Sequence, residues 1–132
     1  MNRAKLAVAL LTLSTSVFAM DEDTKNEIYD IAKNIGYKYC FSVINNNPER
    51  QSALNQLKIS PSTACQCASI ESANAMEASP SYNAFLRSAI RSSDINNGRK
   101  PSFVYEKDQD AAVEVYSKIF NNSWANCVMR LK

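Results

Sequence analysis

The sequence predicts an all-α fold, a bundle of about five helices stapled by disulfides once a leader is removed. Three observations carry that expectation. Only two glycines, Gly36 and Gly98, occur in 132 residues, and β-branched clusters are scarce. Helix-start signals recur ahead of stretches whose apolar residues return every three or four positions. Four cysteines, Cys40, Cys65, Cys67 and Cys127, form an even set in a small chain, the pattern of an exported disulfide framework.

Residues 1–19 read as a signal peptide. Arg3 and Lys5 form a positive start, Leu6–Leu13 a short apolar run, and Val17-Phe18-Ala19 places small residues before the cut. The run is shorter than the roughly 20 residues needed to span a bilayer. Residues 20–132 are then expected as a single helical domain, exported to the periplasm or secreted, with no membrane span. No cysteine follows the cut to carry a lipid anchor.

The helices are signalled in order. Thr24-Lys25-Asn26-Glu27 has the capping-box pattern, with Ile28, Ile31, Ala32, Ile35, Tyr39 and Val43 at helical spacing behind it. Asn47-Pro48-Glu49 supplies a cap, a proline at the first helical position and an acid in the first turn, with Ala53, Leu54 and Leu57 as the buried stripe. Ser60-Pro61 opens the third helix, whose composition is small nearly all round: Ala64, Cys65, Cys67, Ala68, Ser69, Ser72, Ala73, Ala75 and Ala78. Small side chains suit a central helix approached closely from two sides. Ser79-Pro80 opens the fourth, with Tyr82, Phe85, Leu86, Ala89 and Ile90 as its apolar face. Asp108 is the expected cap of the last helix, which runs through Val113, Tyr116, Ile119, Phe120, Cys127 and Leu131. Asn121-Asn122-Ser123 is a candidate break within it.

Cys65 and Cys67 lie two positions apart on the third helix and so point about 200° apart. They are poorly placed to bond each other. One should reach Cys40 on the first helix and the other Cys127 on the last, and the spacing leaves both crossings open. The chain-entropy model gives about 3–4 kcal/mol for each bridge.

Between the fourth and fifth helices, Ser92–Lys107 reads as a long loop turned at Asn97-Gly98. Between positions 87 and 105, Arg87, Arg91, Arg99 and Lys100 stand against only Asp94, whereas Asp21, Glu22, Asp23, Glu27 and Asp30 make the first helix acidic. A bipolar molecule is expected. The whole chain carries 15 Lys and Arg against 13 Asp and Glu, but without Arg3 and Lys5 the balance is even. That lacks the basic excess of a nucleic-acid binder.

Catalytic chemistry is hard to place. There is no histidine, which removes Ser-His-Asp and Cys-His nucleophile pairs and imidazole metal ligands. Two glycines do not make a phosphate-cradling loop. The Asp94–Gly98 stretch resembles a calcium loop whose glycine comes a position early and whose twelfth-position glutamate is missing. Cys65-Gln66-Cys67 as a redox pair is outweighed by structural disulfides in an exported chain. The expectation is a protein without enzyme activity, cofactor or metal.

Tyr37-Lys38-Tyr39-Cys40-Phe41, late in the first helix, and Cys127 near the end resemble features of the periplasmic immunity proteins that protect bacteria against type VI secreted peptidoglycan amidases. The Cys65-Gln66-Cys67 pair departs from that group. The resemblance implies a helical inhibitor, often a homodimer, that inserts a loop into the cleft of a peptidoglycan-hydrolase toxin. The residues proposed for that loop are Asn96, Asn97, Gly98, Arg99 and Lys100, which are polar, turn-forming and basic. The competing expectations are a periplasmic chaperone or secretion accessory protein, a thiol-redox protein, and a structural or small-ligand-binding helical domain.

Overall fold

The computed structural model describes residues 22–132, so the signal peptide read at 1–19 lies outside the described residues. Five helices succeed one another: α1 (Glu22–Asn45), α2 (Pro48–Leu57), α3 (Pro61–Glu77), α4 (Tyr82–Asn96) and α5 (Lys107–Leu131). Helix α3 is central, packed most extensively against α1 and α5; α4 lies mainly on α5, and α2 touches α1. Among the described residues no helix is long and apolar enough to cross a membrane.

Helix α1 buries a row at every fourth position: Thr24, Ile28, Ala32, Gly36, Cys40 and Ile44. Such rows form the ridges by which helices interlock. Ile31, Ile35, Tyr39 and Val43 flank the row half-buried. Thr24 is therefore inside the helix and buried, not the cap of its first turn, because its small side chain continues the ridge.

Two of the predicted starts hold atom for atom. Asn47 accepts a hydrogen bond from the Arg50 amide at 3.1 Å, and Ser60 accepts one from the Thr63 amide at 3.1 Å, each with a proline behind it. The fourth helix begins later than Ser79-Pro80. Ser79 Oγ accepts from the Ser81 amide at 3.1 Å, and this turn delivers the chain to Tyr82.

Helix α2 buries only Leu54; Ala53 and Leu57 are exposed because the helix meets little besides α1. It ends at Lys58 with φ 56°, where the Ile59 amide returns to the Leu54 carbonyl at 3.0 Å. That is a Schellman closure with lysine in the left-handed position that glycine usually takes.

Helix α5 starts behind Glu106, not Asp108, and Asp108 sits in its first turn paired to Arg87. Val113 and Leu131 are exposed, outside the buried stripe of Gln109, Ala112, Tyr116, Phe120, Ser123 and Cys127. The helix runs unbroken through Asn121-Asn122-Ser123. Asn121 accepts from Arg50 of α2 at 2.8 Å, and Ser123 is buried, so tertiary partners use these polar side chains instead of letting them end the helix.

The cysteine crossing resolves as Cys40–Cys65 and Cys67–Cys127. The two bridges leave α3 on opposite flanks, one to α1 and one to α5. Between them the small face of α3 lets α1 come close: a Cβ built on Gly36 lies 3.5 Å from Ser69 Cα. Tyr116 fills the gap between α1, α3 and α4. Its ring stacks on Phe85 (4.7 Å) and meets Tyr39 edge-on (5.7 Å), and its hydroxyl lies 3.2 Å from Ser72 Oγ. Burial pushes its phenol up to about 12.

Candidate functional site

The loop proposed from the sequence is shorter than expected, spanning 97–106, because α4 continues through Ser92, Ser93, Asp94 and Ile95 to Asn96. The helix stops by a second Schellman closure. Gly98 takes φ +68°, its amide returns to the Ile95 carbonyl at 3.1 Å, and the Arg99 amide to the Asp94 carbonyl at 2.8 Å.

Asp94 organises the chain beyond this turn. Its carboxylate is buried, and Oδ2 accepts from the Ser102 amide (2.9 Å) and hydroxyl (2.8 Å). Oδ1 accepts from Arg99 Nε at 3.2 Å, with the other Arg99 nitrogen at 3.1 Å. Desolvation alone would raise this carboxyl, but the two Ser102 donors and the Arg99 guanidinium outweigh it and hold the carboxyl below the ordinary aspartate value. The carboxylate is engaged by the loop itself, and is not set out as the first ligand of a calcium loop.

The far half of the loop is tied to α5 and back to α4. Gln109, buried in the first turn of α5, donates to the Val104 carbonyl at 3.0 Å. Tyr105 donates to Asp110, a bond that raises its phenol pKa, and its ring lies 5.8 Å below the Arg91 guanidinium. Arg87 reaches Glu106 at 3.1 Å and Asp108 at 2.6 Å. Burial disfavours its charge, yet the two carboxylates overcome that and raise its pKa. Phe103 is partly buried and packs against the core.

The five sequence-proposed residues thus share one exposed turn in different roles. Asn96 ends α4. Asn97 donates its side-chain amide to the Ser93 carbonyl at 2.7 Å, Gly98 makes the left-handed turn, Arg99 is held by Asp94, and Lys100 is exposed. The expected concentration of positive charge is reduced, because Arg99 is paired with Asp94 inside the turn and Arg87 with Glu106 and Asp108 at the start of α5. The connection and the end of α4 also expose apolar side chains: Val104 is 81% exposed, with Ile95 and Tyr105 about half so. Asp94, Ser102 and Gln109 were not legible as loop-builders; the available signal was an aspartate placed to meet the residues after a helix-ending Asn-Gly.

Two surface grooves flank α3. One, about 490 Å³, lies between α3 and α5 and is lined by Glu71, Asn74 and Asn122 among others. The other, about 460 Å³, lies against α1 and includes Lys33, Asn34 and Gln66. Cys67, Glu71 and Cys127 bring their donor atoms within 4.8 Å of one another, but both sulfurs are tied in the bridge and offer no thiolate to a metal.

No protein-family model matches the chain, and no curated protein or solved structure matches it significantly.

Proposed function

We propose that this is an exported, non-enzymatic protein-binding protein of the periplasm, an immunity protein that neutralises a secreted cell-wall-degrading toxin by offering it the 96–106 turn. The observation that carries the reading is the bracing of that turn. A ten-position connection would ordinarily be mobile, yet Asp94, Gln109, Arg87 and Asp110 each hold a different part of it. A turn ordered before it meets its partner loses less entropy on binding, which favours a tight, specific inhibitor. Exposed Lys100 and Val104 on that connection offer a cation and an apolar side chain to a partner. The two disulfides accord with an exported chain.

The chaperone alternative is less well supported, because the groove against α1 is lined largely by amides, hydroxyls and a charge where unfolded clients need an apolar wall. Affinity capture with oxidised 20–132 as bait, from extracts and the secreted fraction of the source organism, separates the two. The immunity reading expects one stoichiometric partner with peptidoglycan-hydrolase activity that is inhibited on binding. Many sub-stoichiometric clients, or none, overturn it.

A further inference from the structure

The two disulfides differ in their surroundings. Cys40 and Cys65 are both fully buried, sealed between α1 and α3. Cys127 is buried as well, but Cys67 is only half-buried. Arg130, in the last turn of α5, lies over this second bridge, with one guanidinium nitrogen 3.3 Å from Cys67 Sγ and 3.6 Å from Cys127 Sγ. Glu71, one turn beyond Cys67 on α3, pairs with the same nitrogen and fixes it there.

We propose that Cys67–Cys127 is a thiol-exchange site that accepts electrons from a dithiol, such as a disulfide reductase presents, while Cys40–Cys65 stays closed. The thiolate of the dithiol attacks Cys67 Sγ, because Cys67 is half-buried while Cys127 is fully buried. A bond forms between the incoming sulfur and Cys67, the Cys67–Cys127 bond breaks, and the electron pair leaves on Cys127 as a thiolate beside the Arg130 guanidinium. The second thiol of the dithiol then attacks the mixed disulfide and releases Cys67, so the dithiol is oxidised by two electrons and the bridge becomes two thiols. Exchange is faster when the departing thiolate is stabilised, and the Arg130 guanidinium against both sulfurs supplies that stabilisation, offset in part by the Glu71 carboxylate paired with it. Reduction frees the end of α5 from α3 while α1 remains stapled to α3. The site is independent of the 96–106 turn.

The test is timed reduction of the folded protein with dithiothreitol, acid quench, alkylation and peptide mass mapping, with glutathione in parallel to trap the first mixed disulfide. Cys67 and Cys127 are expected to be alkylated while Cys40–Cys65 is intact, with glutathione found on Cys67. Arg130→Ala should slow the first step about threefold through the poorer leaving group, and Arg130→Lys should restore most of the rate. A thiol count of zero and a parent-like helical circular-dichroism spectrum before reduction confirm that each variant is oxidised and folded. Opening of Cys40–Cys65 first, simultaneous opening of both bridges, or glutathione on Cys127 overturns the proposal. An Arg130→Ala rate equal to that of the parent overturns the role of the guanidinium.

Discussion

One oxygen of Asp94 accepts both the backbone amide and the hydroxyl of Ser102, eight positions further along the chain. This bond joins the last turn of α4 to the middle of the 97–106 connection. With Arg99 on the other oxygen, it converts a polar helix end into an ordered turn. Helix end and connection meet at this carboxylate: the helix ends where it does because Gly98 permits the turn, and the turn keeps its shape because Asp94 collects the donors behind it.

Removing that carboxylate should loosen the turn. Asp94→Ala leaves the Ser102 donors without their acceptor, and the expected loss is about 1–3 kcal/mol in urea unfolding. The same contact predicts a pH dependence. Because the folded-state pKa of Asp94 is depressed, its contribution is present above the unfolded aspartate value and is lost as pH falls through the lower folded value. The Ser102 amide chemical shift should titrate with a midpoint below that of a free aspartate; a midpoint at or above it would contradict the assignment.

Gly36 is required by contact. A Cβ there would lie 2.6 Å from the Tyr116 hydroxyl, and the ring cannot retreat easily between Phe85 and Tyr39. Gly36→Ala gains about 1 kcal/mol of helix propensity, but overpacking costs about 1–3 kcal/mol, so a net loss is expected. Tyr116→Phe removes the obstructing oxygen. In a double-mutant cycle, alanine at 36 should cost less in that background; an equal cost would refute the steric account.

Lys58 occupies a left-handed position that costs a side-chain-bearing residue about 1–2 kcal/mol. Lys58→Gly should therefore raise stability, by about 0.5–1 kcal/mol after the unfolded-state entropy of glycine is set against it. Chemical denaturation of the two proteins side by side measures this.

Each bridge should matter to the fold. Replacing Cys67 and Cys127 together by serine opens a loop of sequence separation 60, and the chain-entropy model gives a loss of about 4 kcal/mol. Thermal unfolding monitored by circular dichroism should show the melting temperature fall by many degrees with helix content at low temperature retained.

Local chemistry made much of this architecture readable. Asn47-Pro48 and Ser60-Pro61 are decided within four residues of sequence, and the structure uses them as caps. The opposed directions of Cys65 and Cys67 derive from helix geometry, which is why the double clamp was foreseeable. Which sulfur meets which helix depends on how α3 is rolled between its neighbours, and no local signal carries that. The misread features have the same origin. Thr24 looks like a cap until α1 is seen to need a small residue in its buried row, and Asn121 looks like a break until Arg50 is found opposite it. Asn97-Gly98 marks the turn that ends α4, but the connection expected over 92–107 begins only at 97, and its charge is lower than expected because Glu106 and Asp108 reach back to Arg87 once α5 is docked.

On the function we propose, the braced turn is the surface that meets a cell-wall hydrolase. Its most direct test is the dissociation constant of the captured hydrolase for the parent protein and for Lys100→Ala, Val104→Asp and Asp94→Ala, each verified as helical and oxidised. The account predicts that all three weaken binding at least tenfold, Asp94→Ala without touching the partner itself. Unchanged affinity across the three would contradict it.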